Sequence, residues 1–255
     1  MVCYYTLIMT SPMTAKTIKS LYLKKNRQQS GKFLVEGEKS VLELLESDFK
    51  IANLYGTREF SDRHADLIAK CGIKIQIVEG AELGALGTLQ MNASALAIAL
   101  QKKPTEPKPA NGILLALDGI SDPGNLGTLM RIADWYGITD IVCSDNCVDW
   151  HNPKAISASM GSFTRVNGFY TALPAYLKKH KNSSILGASL GGTSAQGFIF
   201  PANGILVIGS ESHGISREVE KCLSEKITIP RIGHAESLNA AIACAIIIDR
   251  WKNIR

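Results

Sequence analysis

Three stretches in the second half of the chain set polar side chains among glycines, a combination that lets a ligand lie against bare backbone while a few side chains act on it. The first is PGNLGTLMRIADWYG at 123–137, after an apolar run that passes through Leu117. Pro123 and Gly124 make a turn, Asn125 suits a helix start, and Gly127 permits close backbone approach. Arg131 follows six positions beyond Asn125 on the same helix. By itself this segment reads equally as a capped helix with one surface arginine. The second is LVIGSESHGIS at 206–216, where an apolar strand runs into Gly209, Glu211 and Gly214 form a loop, and Ser216 can cap the next helix. A glycine at a strand-to-loop junction is a familiar site position in α/β proteins. The third is IPRIGHAESLNAAIACAI at 229–246, with Pro230 and Gly233 in a loop and Ser237 and Asn239 at the entrance to an apolar helix. Those two side chains either cap the helix or face a ligand.

Two chemistries are disfavoured by the same spacing. Gly209 to Gly214 lacks the Lys-Ser/Thr that completes a nucleoside triphosphate loop, and no strand is followed by the G-x-G-x-x-G of a dinucleotide site.

The elements that must position these segments alternate in type. From GILLALDGI onward, a nearly continuous apolar strand is followed by a helix around Leu126 to Tyr136 and the strand DIVCSD. A helix from Pro153 to Met160, a strand near Val166, the helix LPAYLKKHK and the strand SILGASL come next. ILVIGSE and KITIP add two strands, and SLNAAIACAIIIDRW closes the chain as a helix apolar nearly all round, which must be buried on several sides. Such alternation predicts an α/β domain with a parallel sheet over 113–255. Before it, KKPTEPKPANG holds three prolines in six residues and predicts a connector at 104–112. Residues 1–103 read as a smaller α/β domain: a basic amphipathic helix over 14–29, then FLVEG, EKSVLELLES, IANLYGT, HADLIAKCG, IKIQIVE and SALAIAL.

The chain has 255 residues, 45% hydrophobic and 20% charged, enough for a sizeable core. Its net charge of +5 is uneven: 14 Lys/Arg against 10 Asp/Glu in 1–103, and 14 against 13 in 104–255. Lys16, Lys19, Lys24, Lys25, Arg27 and Lys32 meet no acid before Glu36, so the segment is either a polyanion-binding surface or a solvated helix face. Six irregularly spaced cysteines read as reduced structural thiols. Cys143 and Cys147 have no second pair or histidine cluster to complete a tetrahedral metal site, so no metal is expected. MVCYYTLIMTSPM lacks a basic n-region and long apolar h-region, Met9 and Met13 are further candidate starts, and AAIACAIII is too short to cross a bilayer. A cytoplasmic protein without a membrane partner is expected.

Taken in order, P-x-N-x-G-x-x-x-R, G-S-E-x-x-G and I-P-x-x-x-x-x-x-S-L-N-A resemble the three motifs of the SpoU (TrmH-type) RNA 2′-O-ribose methyltransferases of the SPOUT superfamily. The match spans roughly 113–251, and the basic helix with FLVEGEKSVLELL resembles that family's substrate-binding domain. The resemblance implies a parallel α/β sheet whose C-terminal segment forms a deep trefoil knot, a topology general rules would reject. It implies S-adenosyl-L-methionine bound at Leu190, Gly191, Gly209, Ile229 and Leu238. Arg131, Asn125, Glu211, Ser237 and Asn239 would make up the catalytic site.

It further implies methyl transfer to a ribose of rRNA or tRNA, and a homodimer joined through the first-motif helix and the C-terminal helix. A ribosomal-protein-like first domain would contact RNA phosphates through Lys24, Lys25 and Arg27. A catalytically inactive RNA-binding member of the same fold is the alternative; a change at Arg131 or in the SLN segment would have favoured it. His213 and His234 fall where the family pattern is loose. Arginine is often assigned as the base in this family, yet deprotonating a guanidinium at pH 7 costs about 7 kcal/mol. The expected role of Arg131 is therefore as a cation holding phosphate and steadying charge on the ribose oxygen.

Overall fold

The computed structural model describes residues 12–87, 94–109 and 112–252, with side chains from residue 15 onward. The leader reading of the opening residues, Cys3, and part of the 104–112 connector lie outside the described residues. Two compact units emerge: residues 1–103 together with 151–164, and 104–150 together with 165–255.

In the first unit the predicted basic helix is two short ones, α1 (Pro12–Ser20) and α2 (Lys24–Ser30). They are followed by β1 (Lys32–Glu36), α3 (Glu38–Leu45), β2 (Ile51–Gly56), α4 (Arg58–Arg63), α5 (Ala65–Cys71), β3 (Ile75–Ile77), α6 (Gly80–Leu86) and β4 (Ala95–Leu100). The strands form a sheet in the order β1-β4-β2-β3, with β4 antiparallel to both neighbours and β2 parallel to β3. Ile18 and Leu21 pack with Leu34, Leu83, Leu96 and Ile98 in its core.

Arg27 is corrected here. It is 2% exposed, and its Nη1 donates to the carbonyls of Leu21 (2.7 Å) and Tyr22 (2.9 Å), just past the end of α1. A cation buried against carbonyls at a helix end satisfies backbone acceptors that would otherwise go unpaired. It therefore joins α1 to α2 and cannot reach RNA. Lys24 and Lys25, on the same helix, are exposed.

The sequence of residues 151–164 falls inside the second half of the chain, yet α8 (Pro153–Ser159) and the following turn belong to the first unit. Phe163 meets Phe33 and Phe49 edge to face, with centroids 5.9 and 6.0 Å apart, and the His151 ring lies 4.5 Å from Phe33. Aromatic packing of this kind outweighs proximity in sequence.

The second unit is a six-stranded sheet: β5 (Ile113–Asp118), β6 (Asp140–Ser144), β7 (Asn167–Thr171), β8 (Ser184–Ser194), β9 (Gly204–Gly209) and β10 (Glu225–Thr228). Their order is β10-β8-β9-β5-β6-β7, and every pairing is parallel. All six residues of β5 and of β9 are buried, as strands covered on both faces must be. Helix α9 (Leu173–Lys179) and the single turn α10 (Arg217–Glu220) cover one face, where Leu114, Val142, Leu177, Ile205 and Val219 form a core. Helices α7 (Pro123–Trp135) and α11 (Ala240–Lys252) pack on each other, α7 against β6 and α11 against β8 and β9. Tyr136 donates to Asp249 at 3.1 Å.

The connector does not swing free of this unit. The Tyr176 hydroxyl donates to the Pro107 carbonyl at 2.6 Å, and Lys179 pairs with Glu106 at 2.6 Å.

Candidate active site

Successive connections leave β5 toward β6 on one side, while β9 lies on the other, so a crevice opens beyond the carboxyl ends of these strands. Ligands bind at such switch points in open parallel sheets. A cavity of about 610 Å³ lies to one side of it, against β8, β9 and β10 and not against β5 or β6.

Its wall is built from the middle of β8 and the ends of β9 and β10. Ala188, Ser189 and Leu190 come from β8, Ile208 to Ile215 from the end of β9 and its loop, and Ile227 to Pro230 from the end of β10. Ser237, Leu238, Ala240, Ala243 and Ile247 close it from the side of α11. Leu190, Gly209, Ile229 and Leu238 are thus brought together. Gly191 is not: it lies one residue beyond the wall at φ +79° with open space around its Cα. Ser189, Ile215, Thr228 and Ile232 also line the cavity and carry no signal in the sequence beyond their neighbourhood.

Gly209 is fixed by close approach. A Cβ there would sit 2.2 Å from the carbonyl carbon of Gly214, because Ser210 and Gly214 exchange backbone hydrogen bonds of 3.0 and 2.9 Å across a tight loop. The wall at this point is bare backbone.

Asn239 organises the polar side. Its Oδ1 accepts from the backbone N–H of Ala241 (3.0 Å) and Ile242 (3.3 Å), capping α11, while its Nδ2 donates to Asn125 Oδ1 at 2.8 Å and to Glu211. This one side chain therefore caps α11 and also ties it to α7 and to the loop after β9. Ser237 is exposed on the cavity wall, outside the cap.

Asn125 proves not to be a helix cap. Asp122 holds that position, accepting from the Asn125 N–H at 2.8 Å. The Asn125 amide is thereby left for Asn239. Arg131 lies in the third turn of α7, about 9 Å along the axis from Asn125. Its guanidinium is exposed, outside the cavity lining, and engages no hydrogen-bond or ion-pair partner among the described residues. Ser216 precedes α10 without a side-chain cap bond; its N–H instead donates to Asp118 Oδ2 at 2.7 Å.

Cys143 and Cys147 are free thiols joined by a hydrogen bond. The Cys143 hydrogen bond, helped by Ser144, draws the Cys147 thiol down to about 7, whereas burial pushes Cys143 up. No cluster of three metal-ligating side chains occurs among the described residues.

Residues 112–249, over half the chain, match the model of the SpoU rRNA methylase family. The chain belongs to that family. Within it, residues 13–96 match the MRM3-like substrate binding domain. Over 236 residues this SpoU protein is 28% identical to the 23S rRNA (guanosine(2553)-2′-O)-methyltransferase RlmP of Bacillus subtilis, covering 91% of this chain and 93% of the relative. Among solved structures, a TrmH-family protein from Porphyromonas gingivalis superposes with a TM-score of 0.82 at 32% identity, covering 96% of this chain and 98% of the other. An AdoMet-bound rRNA methyltransferase from Sinorhizobium meliloti shares the fold at a TM-score of 0.85, with 24% identity over 97% of both chains.

Proposed function

We propose that this SpoU protein transfers a methyl group from S-adenosyl-L-methionine to a ribose 2′-hydroxyl of structured rRNA or tRNA, working as a cytoplasmic homodimer. The observation that carries the reading is the Asn125–Asn239–Glu211 cluster, which joins all three motif segments at the mouth of the cavity. Support also comes from RlmP, named as a 23S rRNA 2′-O-methyltransferase, and from the AdoMet held by the Sinorhizobium meliloti relative.

The cavity fits the cofactor. About 610 Å³ is within the usual range for small-molecule sites, and aliphatic side chains together with bare backbone at Gly209 suit an adenine and its hydrogen-bonding edge. The group supplies a methyl on a sulfonium, open to in-line attack. The protein's own part is to hold the ribose hydroxyl in line with it, and to steady the charge that grows on oxygen as the proton leaves. On this reading Arg131, exposed and without a bonded partner among the described residues, holds a phosphate beside the ribose as a cation; the proton goes to water or another group. Trp135, 85% exposed on α7, and Ile242, 53% exposed on α11, favour a second copy packing on these helices. A C-terminal trefoil knot and a ribosomal-protein-like first domain belong to the same proposal. No helix among the described residues is long and apolar enough to cross a membrane.

Incubating the protein with S-adenosylmethionine labelled in its methyl group and RNA from a strain lacking its gene tests the reading. Label recovered in alkali-resistant dinucleotides is the expected result. Label absent from RNA, with the protein still bound to it, would support the inactive RNA-binding member instead.

Gly209→Ala forces its methyl into the Gly214 backbone, so it should weaken S-adenosylmethionine binding by about 10-fold or more, measured by calorimetry, with RNA affinity unchanged. Replacing Lys24 and Lys25 by alanine should weaken RNA binding and flatten its salt dependence by up to about two in log–log slope, with cofactor binding intact. Unchanged RNA affinity would remove these lysines from the interface.

A further inference from the structure

We infer that Asp118 is a positioning residue for methyl transfer: buried at the end of β5, its carboxylate holds the cavity loop Ser210–Ser216 in register with the helix that carries Asn125 and Arg131. The inference rests on the methyl-transfer reading above.

Asp118 is 6% exposed, and it is the one buried carboxylate of the second unit among the described residues. An acid in that position loses hydration and needs strong hydrogen bonds in return. It accepts from the Ser216 N–H at 2.7 Å, across 98 positions of sequence. Residues on either side of this bond lead to opposite faces of the site. Upstream of Ser216 the loop folds back through the Ser210–Gly214 pair onto Gly209, which is the register partner of Asp118 in the sheet. That loop carries Glu211 to Asn239. Downstream of Asp118, four residues lead to Asp122, whose cap fixes the start of α7.

One short turn therefore ends in two aspartates. Asp118 holds the cofactor wall and Asp122 holds the catalytic helix. Asp118 itself does not line the cavity, so it acts through the loop.

Ser216 offers a way to remove the donor without touching the acid. Its φ of −64° is the value proline imposes, and its carbonyl, which accepts from the Glu220 N–H, stays in place. Four variants decide the matter: Asp118→Ala, Asp118→Asn, Ser216→Pro and the Asp118→Ala/Ser216→Pro double. Each is measured for S-adenosylmethionine affinity by calorimetry, for KM and kcat with RNA, and for Tm. Asp118→Ala and Ser216→Pro should each raise the cofactor Kd and KM by about 10- to 100-fold, with a smaller loss in kcat at saturating cofactor. The double variant should be no worse than the poorer single, since both remove one bond. Asn, which keeps an acceptor oxygen, should recover most of the affinity. Wild-type Kd and KM in a folded Ser216→Pro protein would overturn the inference, as would a lowered Tm in the Asp118 variants with KM unmoved. If wild type itself binds no S-adenosylmethionine, the methyl-transfer reading fails, and this inference with it.

Discussion

Arg131→Ala lowers methyl transfer at saturating cofactor by about 100- to 1,000-fold, the usual loss when a charge-stabilising donor is removed, and leaves S-adenosylmethionine affinity unchanged. The split follows from where the residue sits. Arg131 is outside the cavity lining and makes no internal bond among the described residues, so its removal disturbs neither the cofactor wall nor the packing of α7. Single-turnover rates together with calorimetry check both halves. Arg131→Lys separates charge from shape: it keeps the cation but loses the planar fork that grips a phosphate through two parallel bonds. Partial recovery is expected. Near-full activity from lysine at its optimal pH would remove the need for bidentate geometry, and a pH–rate profile of the chemical step then distinguishes a cation from a base.

Asn239→Ala should cost about 100-fold in kcat, comparable to a misplacement of roughly 1 Å at a reacting centre, and about 1 kcal/mol of stability from the lost cap. Both losses arise because one amide serves two purposes. Its oxygen ends α11 and its nitrogen bridges Asn125 and Glu211. Asn239→Asp isolates the second: aspartate caps a helix as well as asparagine, but cannot donate, and it faces Glu211 as a like charge. A Tm near wild type with kcat still depressed is the expected outcome. Full activity in the aspartate variant would mean that the bridge does not matter to the reaction.

The cap at Asn239 marks where sequence reasoning stopped short. A polar residue before an apolar helix is legible as cap or as ligand contact, and nothing in the chain says that this side chain caps α11 and also reaches Asn125 and Glu211. Asn125 gives the converse case. It has the composition of a cap, but Asp122, three residues earlier, reaches the free N–H first. Arg27 sits in a run of cations that reads as a uniform basic surface, yet it is the one turned inward, because α1 ends at Ser20 and the carbonyls of Leu21 and Tyr22 just beyond it need a donor. Residues 151–164 look like one more βα repeat and join the other unit instead, drawn there by Phe163 against Phe33.

Legible in the chain alone were the alternation of strands and helices over 113–255, the parallel sheet, and the three glycine-bearing segments with Asn125, Arg131, Glu211, Ser237 and Asn239; in the first unit one predicted helix became two, and α4 and α6 gave no signal. The legible features depend on local rules: hydrophobic period, breakers and the backbone freedom of glycine. The folded chain alone shows which of those side chains touch, that Gly191 falls outside the cavity wall, that Arg27 is buried, and that Asp118 accepts from the Ser216 N–H. Each of those depends on which groups the fold brings together in space. The Asp118–Ser216 bond joins residues 98 positions apart, and no local pattern can encode a distance that exists only after the sheet has formed.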